Sequence, residues 1–100
     1  MSKFAEILLE PVKLTLRQTG SDFDKEISSY IEECAMDLQD AGILSSYFTG
    51  EGEVNSQIVR AVRWYCLSVF GLFNPDMEKY QKAYQSLKAT LCTQRKYTEG

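Results

Sequence analysis

Between Asn55 and Leu91 the chain spells two helices back to back: an apolar helix, a break at Gly71, an Asn-Pro restart and a striped second helix. Ile58, Val62, Tyr65 and Val69 recur at helical spacing, and Val59, Cys66 and Phe70 widen the stripe. A helix apolar over most of its circumference is central in its fold or buried in an assembly. Asn55 or Ser56 caps its start and Gly71 ends it. Asn74 then reads as a second cap, Pro75 as the first helical position, and Asp76 and Glu78 as partners for the positive end of the dipole. Met77, Tyr80, Tyr84, Leu87 and Leu91 follow at spacings of three and four, the pattern of a helix with one buried face. Glu78 and Lys82 make a favourable i,i+4 pair.

Upstream, Pro11 suits the first turn of a short helix that runs to about Gln18 and stops at Gly20. Phe4 to Leu9 reads as a separate helical turn or arm. A second helix spans about Asp22 to Ala41, capped by Ser21 or Asp22 and ended by Gly42. Its stripe is Phe23, Ile27, Tyr30, Ile31, Cys34, Leu38 and Ala41. Lys25, Glu32, Asp37 and Gln39 mark the opposite face, where Met36 has no intrachain reason to sit. Ile43 to Val54, with Gly50-Glu51-Gly52-Glu53, reads as a solvated loop. No strand alternation appears. The expectation is a single all-α domain over residues 1–100: a compact bundle of about four helices with a flexible loop between helices two and three, an N-terminal arm at residues 1–10 and a C-terminal tail at residues 93–100.

The residues offer little chemistry. Histidine is absent, which removes the commonest general base and metal ligand. Cys34, Cys66 and Cys92 lack the paired spacing of a zinc site and read as reduced core thiols. The Gly50–Glu53 run lacks the ligand positions of a calcium loop, and no phosphate-binding glycine loop is present. Glu32, Glu33 and Asp37 read as solvated surface rather than paired catalytic carboxylates. The expectation is no enzyme and no cofactor. A net charge of −3 disfavours tight binding to a phosphate backbone. No apolar run is long enough to span a bilayer, and Glu6 and Glu10 flank Ile7-Leu8-Leu9 too closely for a signal-peptide core.

What remains is surface suited to contact. Met36, Trp64 and Leu67 are candidates for exposed apolar residues, and Arg60 and Arg63 lie beside Trp64 and Leu67 on the third helix. Trp and Arg are enriched where binding energy concentrates. The bland alternative has Trp64 buried by the first helix. The basic, aromatic tail around Arg95, Lys96 and Tyr97 reads either as a docking segment or as a frayed end.

Several segments taken together carry a resemblance: Val12-Lys13-Leu14-Thr15-Leu16-Arg17, the Asp24-to-Gly42 helix, Ile58-Val59-Arg60-Ala61-Val62, the turn Gly71-Leu72-Phe73-Asn74-Pro75-Asp76 and Tyr84-Gln85-Ser86-Leu87-Lys88. In order and spacing the chain resembles the small head–tail connector proteins of tailed phages and prophages. That resemblance implies an all-helical, non-enzymatic virion component made in the bacterial host cytoplasm. It implies a homo-oligomeric ring, dodecameric in the virion and able to stay monomeric alone, beneath the phage portal protein. The ring extends the DNA channel, without sequence-specific DNA binding and without membrane contact, and docks a stopper or tail-completion protein. Carried onto this sequence, the portal-facing residues are Lys88, Leu91, Arg95, Lys96 and Tyr97. A lumen- or stopper-facing loop with Tyr47, Phe48, Glu51 and Glu53 lies at the opposite end. Met36, Arg60, Arg63, Trp64 and Leu67 form the subunit interface.

Two other classes compete. A small helix-turn-helix DNA-binding regulator would use Arg60 and Arg63 on phosphate, but a recognition helix needs polar residues toward the groove. A generic helical interaction module would dimerise outside any virion. Salt-dependent binding to short duplex DNA separates the first from a connector, and genes for a portal and major capsid protein immediately upstream weigh against the second.

Overall fold

The computed structural model describes residues 1–71 and 75–99. Five helices appear among them: α1 (Lys3–Leu16), α2 (Asp24–Asp40), α3 (Ser56–Val69), α4 (Met77–Cys92) and the single turn α5 (Arg95–Thr98). A short 3-10 turn, Ser45–Phe48, lies between α2 and α3. The protein is all-α, as its periodicity requires.

The helices alternate in direction. The Ser2 N–H donates to Glu32 Oε1 (2.7 Å), while Lys13 reaches Asp24 (2.9 Å), so α1 runs antiparallel to α2. Phe23 at the start of α2 meets Phe70 at the end of α3, with ring centroids 5.5 Å apart. Tyr84 and Lys88 of α4 reach Asp37 of α2, and the Cys92 thiol reaches the Ala41 carbonyl, so α4 runs parallel to α2. Packing puts α3 against α1, α2 and α4, whereas α1 and α4 flank the α2–α3 pair from opposite sides without extended contact. One pole therefore gathers the start of α1, the α2–α3 connection and the end of α4 with α5. The other gathers the α1–α2 turn and the end of α3.

Phe4, Leu8 and Val12, then Ile27, Ile31, Cys34 and Leu38, then Ile58, Val62 and Cys66, and finally Tyr84, Leu91 and Tyr97 fill the interior. The stripes read from α2 and α3 are present, with adjustments at their ends: Phe23 and Ala41 are exposed. On α4 the seal is made by Tyr84 and Leu91, and Leu87 is only half-buried.

The N-terminal expectation is corrected. Residues 3–16 form one helix instead of an arm and a separate short block, and Ser2 Oγ caps it by accepting from the Ala5 N–H. Pro11 sits inside, not in the first turn. A mid-helix proline costs about 3 kcal/mol. Phe4, Leu8 and Val12 straddle it and are fully buried, and three such burials outweigh that cost at about 1.5–3 kcal/mol each. The helix stops at Arg17 and not at Gly20. Arg17 adopts φ 59°, and the Arg17 and Gln18 N–H groups return to the Leu14 and Lys13 carbonyls.

The start of α2 also differs: Phe23 occupies the cap position, and neither Ser21 nor Asp22 supplies a side-chain cap. Its end is as expected. Gly42 at φ 112° lets its own N–H reach Gln39 O and the Ile43 N–H reach Leu38 O, each at 3.0 Å, while Ile43 closes over Leu38. Asn55 caps α3 as expected, accepting from the Gln57 and Ile58 N–H groups. The α4 helix begins at Met77, so Pro75 precedes it, and the Glu78–Lys82 pair forms at 3.3 Å. The expected Asn74 cap, with Leu72 and Phe73 of the turn, lies outside the described residues. Among the described residues no helix is long and apolar enough to cross a membrane.

Candidate assembly surface

The loop and the tail meet. Tyr47 and Tyr97 pack with centroids 5.0 Å apart, the Tyr47 hydroxyl donates to the Lys96 carbonyl at 2.7 Å, and the Leu44 N–H donates to the Tyr97 carbonyl at 2.8 Å. Phe48 packs edge-on against Phe4 at 5.3 Å, and Lys3 pairs with Glu51 at 3.1 Å. Thus the residues expected at opposite ends of the molecule share one pole. The connection between α2 and α3 is tied to α1 and to the tail, because its aromatic side chains have apolar partners at both. Leu91 and Tyr97, read as portal-facing, are each 1% exposed and belong to the core. Arg95, Lys96, Glu51 and Glu53 are exposed there, and Arg95 pairs with Glu99 at 2.8 Å.

Asp37 is not on a purely solvated face. It accepts a hydrogen bond from the Tyr84 hydroxyl (2.5 Å) and one from Lys88 Nζ (3.0 Å), and Cys34 Sγ lies 3.8 Å from the same hydroxyl. Burial pushes the Asp37 carboxyl up, but Tyr84 and Lys88 together outweigh it and hold the group below its ordinary value. Burial pushes the Tyr84 phenol well above its ordinary range. Lys88, expected to face the portal, is thus engaged inside the subunit. Beside this cluster a cleft of about 660 Å³ opens between α2 and α4. Asp37 borders it, Tyr65, Ser68 and Val69 of α3 lie beneath, and Glu78, Gln81, Lys82 and Gln85 form the α4 wall. Tyr65 is pushed up to about 12, by burial first and then by the nearby charge of Glu33. The two phenols are thus held in their uncharged form, while Asp37 is held as a carboxylate. Among the described residues no cluster of His, Cys, Asp or Glu could hold a metal ion.

The expected subunit-contact residues divide. Met36 is 64% exposed on α2, and Arg60 and Arg63 are exposed on α3. Trp64 is half-buried and stacks on Tyr80 of α4, with centroids 5.8 Å apart and planes at 29°. It is therefore covered by α4, not by the first helix. Leu67 is also half-buried. Because α2 and α3 pack through their buried faces, Met36 and the Arg60–Leu67 stripe open to different sides of the molecule.

Residues 8–98 match the family model described as phage connector protein. The chain belongs to the phage connector family. No curated protein and no solved structure matches it. As a member of this structural family, the connector is a head–tail component of a phage virion and works through contacts with other virion proteins.

For a connector, exposed apolar side chains matter more than pockets, and the sequence reading missed three. Leu14 is 78% exposed, Phe23 46% and Ile7 41%. Ile7 and Leu14 stand two turns apart on one flank of the Phe4–Leu8–Val12 stripe. A continuous α1 is the signal for Ile7 and Leu14, whereas Phe23 is exposed because it sits at the cap of α2, outside the helix.

Proposed function

We propose that this connector assembles as a ring beneath the portal vertex, extends the DNA channel and offers a platform for a stopper or tail-completion protein. The observation that carries the proposal is the family match over residues 8–98. Exposed apolar residues on separate sides of a small subunit support it, because a closed ring repeats one contact between two different patches. The subunit contact includes Arg60, Arg63 and Leu67, with Met36 available on another side.

The pole that carries Arg95 and Lys96 meets the portal. Glu51 and Glu53, on the same pole, turn toward the channel, where negative charge discourages DNA from sticking. The stopper then takes the other pole, near Phe23. Co-expression with the portal protein of the same phage, followed by electron microscopy, tests the proposal. A ring of added density under the portal is expected. An assembled portal that carries no copies of this chain overturns it. So does strong, salt-sensitive binding of the isolated chain to short duplex DNA, which would favour a regulator.

A further inference from the structure

Two surface features lack a partner within the subunit. The first is a ridge. At about 100° per residue, the α1 side chains divide about the buried line of Phe4, Leu8 and Val12. Lys13, paired with Asp24, leans to the α2 flank, and Ile7 and Leu14 lean to the other flank, along α3. On α3, Arg60 and Arg63 are exposed and Leu67 is half-buried, on the side turned away from the buried line of Ile58, Val62 and Cys66.

The second feature is the cleft of about 660 Å³ between α2 and α4, with Tyr65 and Val69 at its base. Asp37 borders it, and Glu33 and Asp40 are exposed one turn to either side of Asp37 on α2. Among the described residues, Glu33, Asp40, Arg60 and Arg63 have no ion-pair partner.

Ridge and cleft lie on opposite edges of the subunit, since α1 and α4 flank the α2–α3 pair from opposite sides. Their unpaired charges differ in sign, Arg60 and Arg63 against Glu33 and Asp40, with Glu10 between Ile7 and Leu14 on the ridge and Lys82 on the cleft wall as the minority charges; complementary charge fixes the register of a contact. One patch on each of two opposite edges is the arrangement that a repeated head-to-tail contact requires.

We propose that the α1–α3 ridge of one copy seats in the α2–α4 cleft of the next, with Ile7 and Leu14 over Tyr65 and Val69, and Arg60 and Arg63 facing Glu33, Asp37 and Asp40. This inference rests on the ring assembly proposed above and specifies its contact. The occupant of the cleft is a second copy of this chain.

Charge exchange tests it. The wild type, Arg60→Glu with Arg63→Glu, Glu33→Arg with Asp40→Arg, and the fourfold exchange are each co-expressed with the portal protein. Bound copies are counted by electron microscopy and native mass spectrometry. Each double variant is expected to load at least about tenfold fewer copies while keeping wild-type helicity, because like charges then face each other. The fourfold exchange is expected to restore loading. Leu14→Asp, a change at an exposed site, is expected to lose loading without loss of fold. Full loading by either double variant, or a fourfold exchange no better than its halves, overturns the contact and leaves the ring standing. A wild-type chain that never loads overturns the ring and the contact together.

Discussion

Tyr97 donates its phenolic hydrogen to Asn55 Oδ1 at 3.1 Å, so the last turn of the chain holds the residue that caps α3. The same oxygen accepts from the Gln57 and Ile58 N–H groups. Tyr97→Phe should cost about 1 kcal/mol, the net worth of one hydrogen bond. Tyr97→Ala should cost about 3–5 kcal/mol, because a sealed aromatic side chain is lost. Asn55→Ala, which removes the cap, should cost about 1–2 kcal/mol. Urea denaturation measures all three. A Tyr97→Ala variant as stable as wild type would mean that the tail is not docked.

Gly50 and Gly52 both adopt positive φ, 78° and 70°, but only Gly50 is crowded. A Cβ there would lie 2.9 Å from Lys3 Cγ and 3.0 Å from backbone atoms of Lys3 and Phe4, whereas one on Gly52 meets nothing within 4 Å. Gly52→Ala should cost about 1 kcal/mol, the ordinary left-handed penalty. Gly50→Ala should cost at least about twice that, since α1 must shift away. Equal thermal shifts for the two variants would contradict the packing of the connection on α1.

The Asp37–Tyr84 pair predicts a stability profile that falls at both extremes of pH. Asp37 is held below its ordinary value, so its contribution is present above about pH 4 and is lost as pH falls through the lowered folded value. Tyr84 is raised, so its contribution is present below about pH 10 and is lost as pH rises toward the folded value. Asp37→Asn should flatten the acid limb of melting temperature against pH, and Tyr84→Phe the alkaline limb. Limbs of unchanged slope in both variants would show that the cluster does not couple to folding.

The thiols should react in two classes. Cys34 and Cys66 are buried, and burial pushes the Cys34 thiol well above its ordinary value and the Cys66 thiol up to about 12. Cys92 is half-buried, with its Sγ 3.5 Å from the Ala41 carbonyl. A thiol reagent at neutral pH should modify one cysteine in the folded protein and all three after denaturation, since the thiolate is the attacking form. Rapid modification of Cys34 in the native state would contradict the core assignment.

Local signals carried much of this architecture. The Asn55 cap, the Gly42 stop and the buried lines of α2 and α3 depend on residues within one or two turns of each other, which is the range that spacing reports. Pro11 misled because proline at the first helical position is common, whereas the pull of Phe4, Leu8 and Val12 on either side of it is tertiary. Asp37 looked solvated because its partners, Tyr84 and Lys88, come from a helix about fifty positions away. The resemblance implies opposite ends for Tyr47 and Tyr97, and nothing in either neighbourhood states that an odd number of helix reversals brings them together. The cleft and the ridge were illegible because both are made by what neighbouring helices leave uncovered.

The alternating directions of α1 to α4 have an electrostatic consequence. Each pole presents two helix starts and two helix ends, so the four macrodipoles largely cancel. The potential at either rim is then set by side chains alone. In the proposed ring such a scaffold would be a neutral canvas: the sign of the mouth it would offer to a passing polyanion would be rewritten by single replacements such as Glu51→Lys, with the backbone left as it is.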